Sequence, residues 1–363
     1  MTPAPERTTA PARTSTRVDV AILGVRVDAP VRRRSGAGPS DDGHVLLGGY
    51  GAALPLNPDS PYSISAGRLL LDGADLGLEA EAIERPRFYE LTTADGVPYE
   101  MLARLHGKDV LATTVVQTCI RYAEADRCRF CAIEASLAAG ATTAVKTPAQ
   151  LAEVAEAAVR LDGVRQMVLT TGTTNGRDRG ARHLARCVRA ITEAVPGLPI
   201  QVQCEPPAPQ DLDAITELRD AGATAIGIHV ESLDDDVRAR WMPGKASVPM
   251  SQYRAAWAEA VRVFGGNKVS TYLLVGLGED PDELVAGALE LAEAGVYPFV
   301  VPYRPLAGTL AMAGGIGAPD PALLQDVTER VAAGLRRLDM RGADQGAGCA
   351  ACGACSALQS AGA

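Results

Sequence analysis

The feature that most restricts how this chain can fold is a change of rhythm that begins at Val110. From there to about residue 338, short apolar runs alternate with stretches of helical periodicity. The runs cover residues 110–118, 166–171, 200–205, 224–230, 269–275 and 299–302, and they are nearly continuous in apolar character. A strand with one wet face alternates polar and apolar positions. Runs like these are buried on both faces, which is the mark of a parallel sheet covered by helices. The helices between them carry their own punctuation. Thr147 is a good N-cap with Pro148 at the first helical position, and Leu151, Val154, Ala158 and Leu161 share a face. Further helices are predicted over 181–195, 211–221, 252–264 and 282–294, and Asp320-Pro321 starts a last one reaching about residue 338. Six such units predict an α/β fold closed as a partial (βα)6 barrel over residues 109–338. Glycine and polar residues gather at the strand C-termini, where barrel sites are built.

Residues 18–108 are less regular and predict an α+β cap. Strands are expected over 18–27 and 44–47, and a hairpin over 87–92 and 98–105 about the Asp95-Gly96 turn. Between the first two strands, the basic glycine-containing loop Arg32-Arg33-Arg34-Ser35-Gly36-Ala37-Gly38-Pro39-Ser40 can offer N–H groups and guanidinium charge to an anion, or can simply be solvated surface. Residues 1–17 are rich in Thr, Pro, Ala and Arg with almost nothing to bury, and read as a disordered tail. The absence of an apolar run there argues against a secretory signal, so the cytoplasm is the expected location. A formal charge of −9 argues against nucleic acid as the main partner. No run of eighteen apolar residues predicts a membrane span.

Six of the eight cysteines stand in two clusters, Cys119/Cys128/Cys131 and Cys349/Cys352/Cys355. In a chain with no export signal, clustering of this kind favours metal over disulfides. The first cluster follows the first apolar run, and eight residues separate Cys119 from Cys128. Three thiolates on one loop are soft ligands suited to an iron–sulfur cluster or to zinc. Structural zinc wants a fourth ligand, and none lies near in sequence. A cubane held by three thiolates leaves one iron open for a small molecule, the arrangement that binding of S-adenosylmethionine requires. Phe130 could lie against an adenine ring. Thr171-Gly172-Thr173-Thr174, at the end of the second run, offers hydroxyls and N–H groups to an amino acid head group. His229 and Glu231 fall on one face by their spacing of two, and the carboxylate could accept both ribose hydroxyls. Lys245 and Arg254 each could meet a carboxylate.

The second cluster, Cys349-Ala-Ala-Cys352-Gly-Ala-Cys355, belongs to a glycine- and alanine-rich segment, residues 339–363. Small neighbours allow backbone N–H groups close to cluster sulfurs. An auxiliary iron–sulfur cluster is the first reading, a zinc site completed from afar the second, and a mobile thiol tail the third. Cys204 could reach the barrel interior, whereas Cys187 reads as core packing. Glu205, Tyr303 and Arg304 follow strands and point toward the barrel mouth as substrate contacts, or as parts of a structural salt bridge across it.

Taken together, Cys119/Cys128/Cys131, the turn Arg177-Asp178-Arg179-Gly180-Ala181, Glu231, Gly276-Leu277-Gly278-Glu279 and Pro302 with Pro305-Leu306-Ala307-Gly308-Thr309 resemble radical SAM barrels of the biotin synthase and lipoyl synthase type. The commonest spacing in those enzymes, Cys-x3-Cys-x2-Cys, differs from this one in its first gap. More narrowly, the Gly36–Ser40 loop, His106-Gly107, Gln117-Thr118-Cys119-Ile120-Arg121-Tyr122 and the C-terminal cysteines look like an uncharacterised radical SAM family encoded beside a nitrilase in bacterial operons. The resemblance implies a [4Fe–4S] cluster on Cys119, Cys128 and Cys131 that binds S-adenosylmethionine, and a second [4Fe–4S] cluster in the C-terminal segment. It implies reductive cleavage to a 5′-deoxyadenosyl radical and hydrogen abstraction from a small polar metabolite. Rearrangement, bond cleavage or sulfur insertion would follow, with an electron donor such as flavodoxin or ferredoxin. An iron–sulfur scaffold or redox sensor that never cleaves the cofactor is the rival reading.

Overall fold

In the computed structural model, residues 10–27 and 44–362 are described. Helix α1 (Ala10–Leu23) comes first. Strands β1 (Arg26–Val27), β2 (His44–Leu47), β3 (Tyr50–Ala53), β4 (Tyr62–Ser65), β5 (Arg68–Leu71) and β6 (Ala74–Ala82) then form one sheet in the order β1-β4-β5-β6-β2-β3. All its pairings are antiparallel except β1 with β4. The expectations of a disordered tail over 1–17 and a strand over 18–27 are corrected here, because residues 10–23 are helical. The helix lies between two cores: Val18 and Ile22 pack into the barrel's, while Val20 and Leu23 pack against the sheet. The run Val-Asp-Val-Ala-Ile-Leu fits either period when read alone. Residues 1–9 and the basic loop at 32–40 lie outside the described residues.

The hairpin expected about Asp95-Gly96 is also replaced. A 3-10 turn (Arg87–Glu90) and a helical turn (Tyr99–Leu102) flank it, joined by a single antiparallel bridge between Thr92 and Pro98. Pro86 and Pro98 stand just before these turns, and Phe88, Tyr89, Tyr99 and Leu102 bury their side chains beneath them.

The second sheet contains β7 (Arg104–His106), β8 (Val110–Thr114), β9 (Gln166–Thr170), β10 (Ile200–Gln203), β11 (Ala225–Gly227), β12 (Val269–Val275) and β13 (Val296–Pro302), ordered in sequence. Strands β8 to β13 are parallel, as the apolar runs predicted, and β7 adds to one edge antiparallel. Their outer faces are covered by α2 (Pro148–Asp162), α3 (Ala181–Ala194), α4 (Asp213–Asp220), α5 (Met250–Phe264), α6 (Pro281–Glu293) and α7 (Pro321–Arg337). Thr147 and Gln150 close a reciprocal capping box on α2, and the carboxylates of Asp280 and Asp320 accept from the first N–H groups of α6 and α7. Every residue of β13 is buried, as expected for a strand covered on both faces. Among the described residues no helix is long and apolar enough to cross a membrane.

The sheet does not close on itself: β13 and β7 are its two edges. The C-terminal segment occupies the seam between them. Ser356 Oγ donates to the Val300 carbonyl of β13 at 2.6 Å, and Ala53 N of β3 donates to the Ala354 carbonyl at 2.8 Å. Cys352 packs beside Gly107, just after β7, where an added Cβ would lie 3.5 Å from its sulfur. The third reading of this segment, a mobile thiol tail, is therefore corrected: the segment is docked on both edges. Gln201 of β10 donates to Ser270 Oγ of β12 across β11 at 3.2 Å and accepts from Gln203 Nε2 at 2.8 Å. Gly227 makes that crossing possible, because a Cβ there would stand 2.6 Å from the His229 ring and 3.1 Å from Gln203.

Among the described residues, one buried lysine of this core forms no salt bridge. Lys146, 2% exposed, donates from Nζ to the Thr114 carbonyl at 2.6 Å, and burial pushes its pKa down to about 7. Between that value and the ordinary lysine range the unfolded chain binds a proton that the folded chain does not, so folding stability from this group rises with pH. Lys146→Met should flatten the dependence. Urea unfolding of metal-free protein at pH 7 and pH 9 should show a smaller gain in stability for the variant than for the parent; equal gains would assign the dependence elsewhere.

Candidate functional site

A cavity of about 190 Å³ opens at the C-terminal ends of the parallel strands, and Cys119, Cys128 and Cys131 all border it. Backbone bonds hold the loop that carries them. Ile120 N donates to the Thr173 carbonyl at 3.0 Å, tying the first arm to the end of β9. Arg129 N donates to the Trp241 carbonyl at 2.7 Å, and its Nε to Arg240 O at 2.8 Å, fixing the second arm on the short helix Asp235–Trp241. Gly172 is required where these segments cross, since a Cβ would stand 2.0 Å from the Thr118 carbonyl. Burial pushes the Cys131 thiol up to about 11 and raises Cys128 as well. In metal-free protein these two groups therefore carry protons at neutral pH, which a metal centre must displace. Among the described residues no three His, Cys, Asp or Glu side chains close on a single ion-sized point. The three thiols instead border a wider space. Soft donors spread around one cavity fit an iron–sulfur cluster, in which each thiolate meets its own iron.

The same cavity is bordered by a partly buried ion pair. Lys245 Nζ donates to Glu231 Oε1 at 3.1 Å and to the His229 carbonyl at 2.7 Å. Burial works against the ammonium, but the nearby carboxylates of Glu231 and Glu205 outweigh it and hold Lys245 above the usual lysine range. Glu231 takes a left-handed backbone, φ 70°, which is uncommon outside glycine and costs on the order of 1–3 kcal/mol. Its backbone N–H and carbonyl pair with Tyr272 and Leu274 of β12, so the sheet holds the strained residue in place. The His229 ring stacks on Tyr272 with centroids 4.2 Å apart, and its Nδ1 accepts from Tyr272 N at 3.2 Å. Burial, with Lys245 nearby, pushes its pKa down to about 3, so the ring is neutral; its Nε2 is buried without a hydrogen-bond partner. Phe130, Thr171, Gly172 and Thr173 line the same cavity. The N–H groups of Thr171 and Gly172 already donate to Gln203 and Val116 carbonyls, so they are not free for a head group as expected.

Other expectations need correction. Arg254 is exposed on α5 and lies outside the cavity lining. Tyr303 is 1% exposed, its ring 5.2 Å from Trp241 and its hydroxyl donating to Ile316 O, so it belongs to the core rather than the barrel mouth. Arg304 turns away from the mouth and donates to the Cys355 carbonyl at 3.2 Å. Glu205 does reach the cavity, but in a two-pronged ion pair with Arg121, at 2.8 and 3.0 Å. That is the salt bridge across the mouth. Arg121 and Gln203 were missed as site residues, although the alternation Gln201-Val202-Gln203-Cys204-Glu205 in an otherwise apolar strand was a signal of an inward polar face.

Gln203 joins this cavity to the C-terminal thiols. Its side chain lines the cavity, and its Nε2 donates to Cys349 Sγ at 3.2 Å. The Tyr272 hydroxyl also hydrogen-bonds that sulfur, and Cys349 N donates to Gln201 Oε1 at 3.2 Å. Burial pushes Cys349 up to about 11 and raises Cys352 too. The segment presses so closely on β10 that a Cβ at Gly348 would lie 2.1 Å from Gln201. Cys187 is buried in α3, away from both thiol sets, while Cys204 borders the first cavity with its thiol raised by burial to about 12.

Residues 125–292 match the sequence model described as the Radical SAM superfamily. The match begins after Cys119 and takes in Cys128, Cys131, Glu231 and Lys245. A lipoyl synthase from Thermus thermophilus is 30% identical over 173 residues, covering 47% of this chain and 50% of that one. A lipoyl synthase from Halorhodospira halophila is 28% identical over 181 residues, covering 47% and 51%. The chain spans about half the length of the curated relatives it matches. Among solved structures, methylornithine synthase (PylB) superposes with a TM-score of 0.47 at 16% identity, over 71% of this chain and 70% of that one. The maturase HydG from Carboxydothermus hydrogenoformans gives 0.46 at 16% identity, over 63% and 51%. These scores carry no argument, and the barrel rests on its own strand order. The sequence matches imply a [4Fe–4S] cluster with S-adenosylmethionine and leave room for an auxiliary cluster. By its barrel sequence the chain is similar to the radical SAM superfamily over residues 125–292, and to lipoyl synthases over about half its length.

Proposed function

We propose that this protein is a cytoplasmic enzyme that uses S-adenosylmethionine to remove a hydrogen atom from a small polar metabolite. The observation that carries the reading is the sharing of one cavity by Cys119, Cys128 and Cys131 with the Glu231–Lys245 pair. Cys119, Cys128 and Cys131 would hold a [4Fe–4S] cluster, which once reduced by an external donor would supply the electron for reductive cleavage of S-adenosylmethionine. The chain's own residues supply orientation and shelter from water. Glu231, held by its strained backbone and by Lys245, presents a carboxylate to the ribose hydroxyls. Phe130 gives the adenine an apolar face, and the Arg121–Glu205 pair lines the mouth through which substrate enters. Lys245, anchored on Glu231 and on the His229 carbonyl, is the cation available to a carboxylate; Arg254 is too remote. An electron donor such as flavodoxin or ferredoxin completes the cycle.

The C-terminal thiols act as ligands of a second cluster at the cavity's inner wall. Gln203 supports this, since one side chain borders the cavity and touches Cys349. A substrate held between the two thiol sets would meet the radical on one side and the second cluster on the other. Sulfur insertion, as the printed names of the lipoyl synthases suggest, is one outcome of that placement; anchoring of substrate or passage of electrons is another.

Cys119→Ala, Cys128→Ala and Cys131→Ala should each abolish 5′-deoxyadenosine formation by dithionite-reduced protein. Product from any of them would overturn the ligand assignment, and no product from the parent protein would favour the scaffold or sensor reading. Glu231→Gln removes a charge-assisted contact worth about 1.5–3 kcal/mol, so S-adenosylmethionine affinity should fall roughly tenfold to a hundredfold by equilibrium dialysis. Unchanged affinity would move the ribose contact elsewhere. With Cys349, Cys352 and Cys355 all changed to Ala, cofactor cleavage should persist without turnover of substrate; full turnover would deny the segment any part in the reaction.

A further inference from the structure

Two arginines beside the C-terminal thiols have no acidic partner. Arg17 of α1 is 6% exposed. Its Nη2 donates to the carbonyls of Gly51 at 3.0 Å, Gly353 at 3.4 Å and Ser356 at 3.1 Å, and its guanidinium lies 5.4 Å from the Tyr50 ring centroid. Its Nη1 is buried with no hydrogen-bond partner, as is Nε of Arg304, which holds the Cys355 carbonyl from the other side. Among the described residues neither forms a salt bridge. Gly353 and Ser356 flank Cys355, and Gly353 directly follows Cys352. Arg17 therefore grips the loop that carries two of the three thiols.

A guanidinium kept from water without a negative partner is strongly unfavourable, and carbonyl groups compensate only part of that cost. A thiolate-ligated iron–sulfur centre supplies a countercharge, and its sulfurs accept hydrogen bonds from nearby N–H groups. Resting on the reading of Cys349, Cys352 and Cys355 as cluster ligands, we propose that Arg17 is a positioning and charge-balancing residue of an anionic iron–sulfur centre at those cysteines. Its buried Nη1, without a partner among the described residues, is the donor it would offer that centre, and helix α1, which carries it, would form a wall of the site. The segment before the first sheet is then part of the second metal site, with Arg304 as the weaker cation across from it.

The test compares full-length parent protein, Arg17→Lys, Arg17→Gln and Arg17→Leu, reconstituted without oxygen. Iron and sulfide are counted, and both clusters are titrated by redox potentiometry followed by electron paramagnetic resonance. Loss of the positive charge in the Gln and Leu variants should shift the second cluster to a more negative midpoint potential or empty it of iron. Arg17→Lys should keep both the iron and the potential near the parent's, and the first cluster should not move in any variant. Arg17→Gln retains a donor for the carbonyls and serves if the Leu variant does not fold. A parent-like second potential and iron content in the neutral variants would overturn the inference, as would an equal shift in both clusters. The triple Cys349, Cys352 and Cys355 to Ala variant separates the two levels of argument: if it keeps all of the parent's iron, or if the parent holds zinc there, the cluster reading itself fails along with the arginine's role.

Discussion

An unclosed parallel sheet is the constraint on which the rest of this structure depends. Six parallel strands and one antiparallel neighbour leave two edges whose N–H and carbonyl groups need partners. The chain meets the need with its own C-terminal segment, anchored at Val300 on one edge and packed beside Gly107 near the other, with β3 of the first sheet bonded to its outer side. That placement brings Cys349 against Gln203 and Tyr272 inside the barrel. A segment that reads as a small-residue appendix thereby sits one side chain, Gln203, from the cavity.

Within the barrel, placement of charge follows from the expense of burying it. Lys245 and Glu231 face each other, and Arg121 meets Glu205 with both prongs of its guanidinium. Removing either partner of such a pair leaves an unpaired buried charge, a far larger penalty than the pair's own net stabilisation. Both pairs border the thiol cavity, so they keep its shape as well as its charge. Small residues do the complementary work. Gly172 lets the ends of β8 and β9 close together, and Gly227 leaves room for Gln203 and His229 to meet over β11.

Much of the fold was legible because periodicity reports burial. Val269–Val275 and the capped start at Pro148 were readable to the residue, since a strand covered on both faces and a capping box leave local marks. The first ninety residues were less legible. Val18 to Leu23 divides its apolar side chains between two cores, so neither a helical stripe nor a strand alternation stands out. The short helix Asp235–Trp241, which anchors the cysteine loop, was also passed over, because the length of the turns around Glu231 hid it. At the site, the direction of the strands carries Glu231 and Thr173 to the cavity lining. Tyr303 and Arg304 follow a strand too, but neither lines the cavity, because the chain turns immediately after β13 and buries one ring against Trp241.

By itself the sequence determined the six-stranded parallel barrel, the two sets of three thiols and the carboxylate at the end of the fourth apolar run, because strand period, helix caps and ligand chemistry are local properties. Only the tertiary structure decided that Gln203 lines the first thiol cavity and also touches Cys349, that Arg121 meets Glu205, that Arg254 is exposed, and that Arg17 reaches across 336 positions to Gly353. Those contacts depend on how far a twisted sheet curls before it stops and on what the chain lays into the remaining gap, and no local pattern of residues encodes either distance.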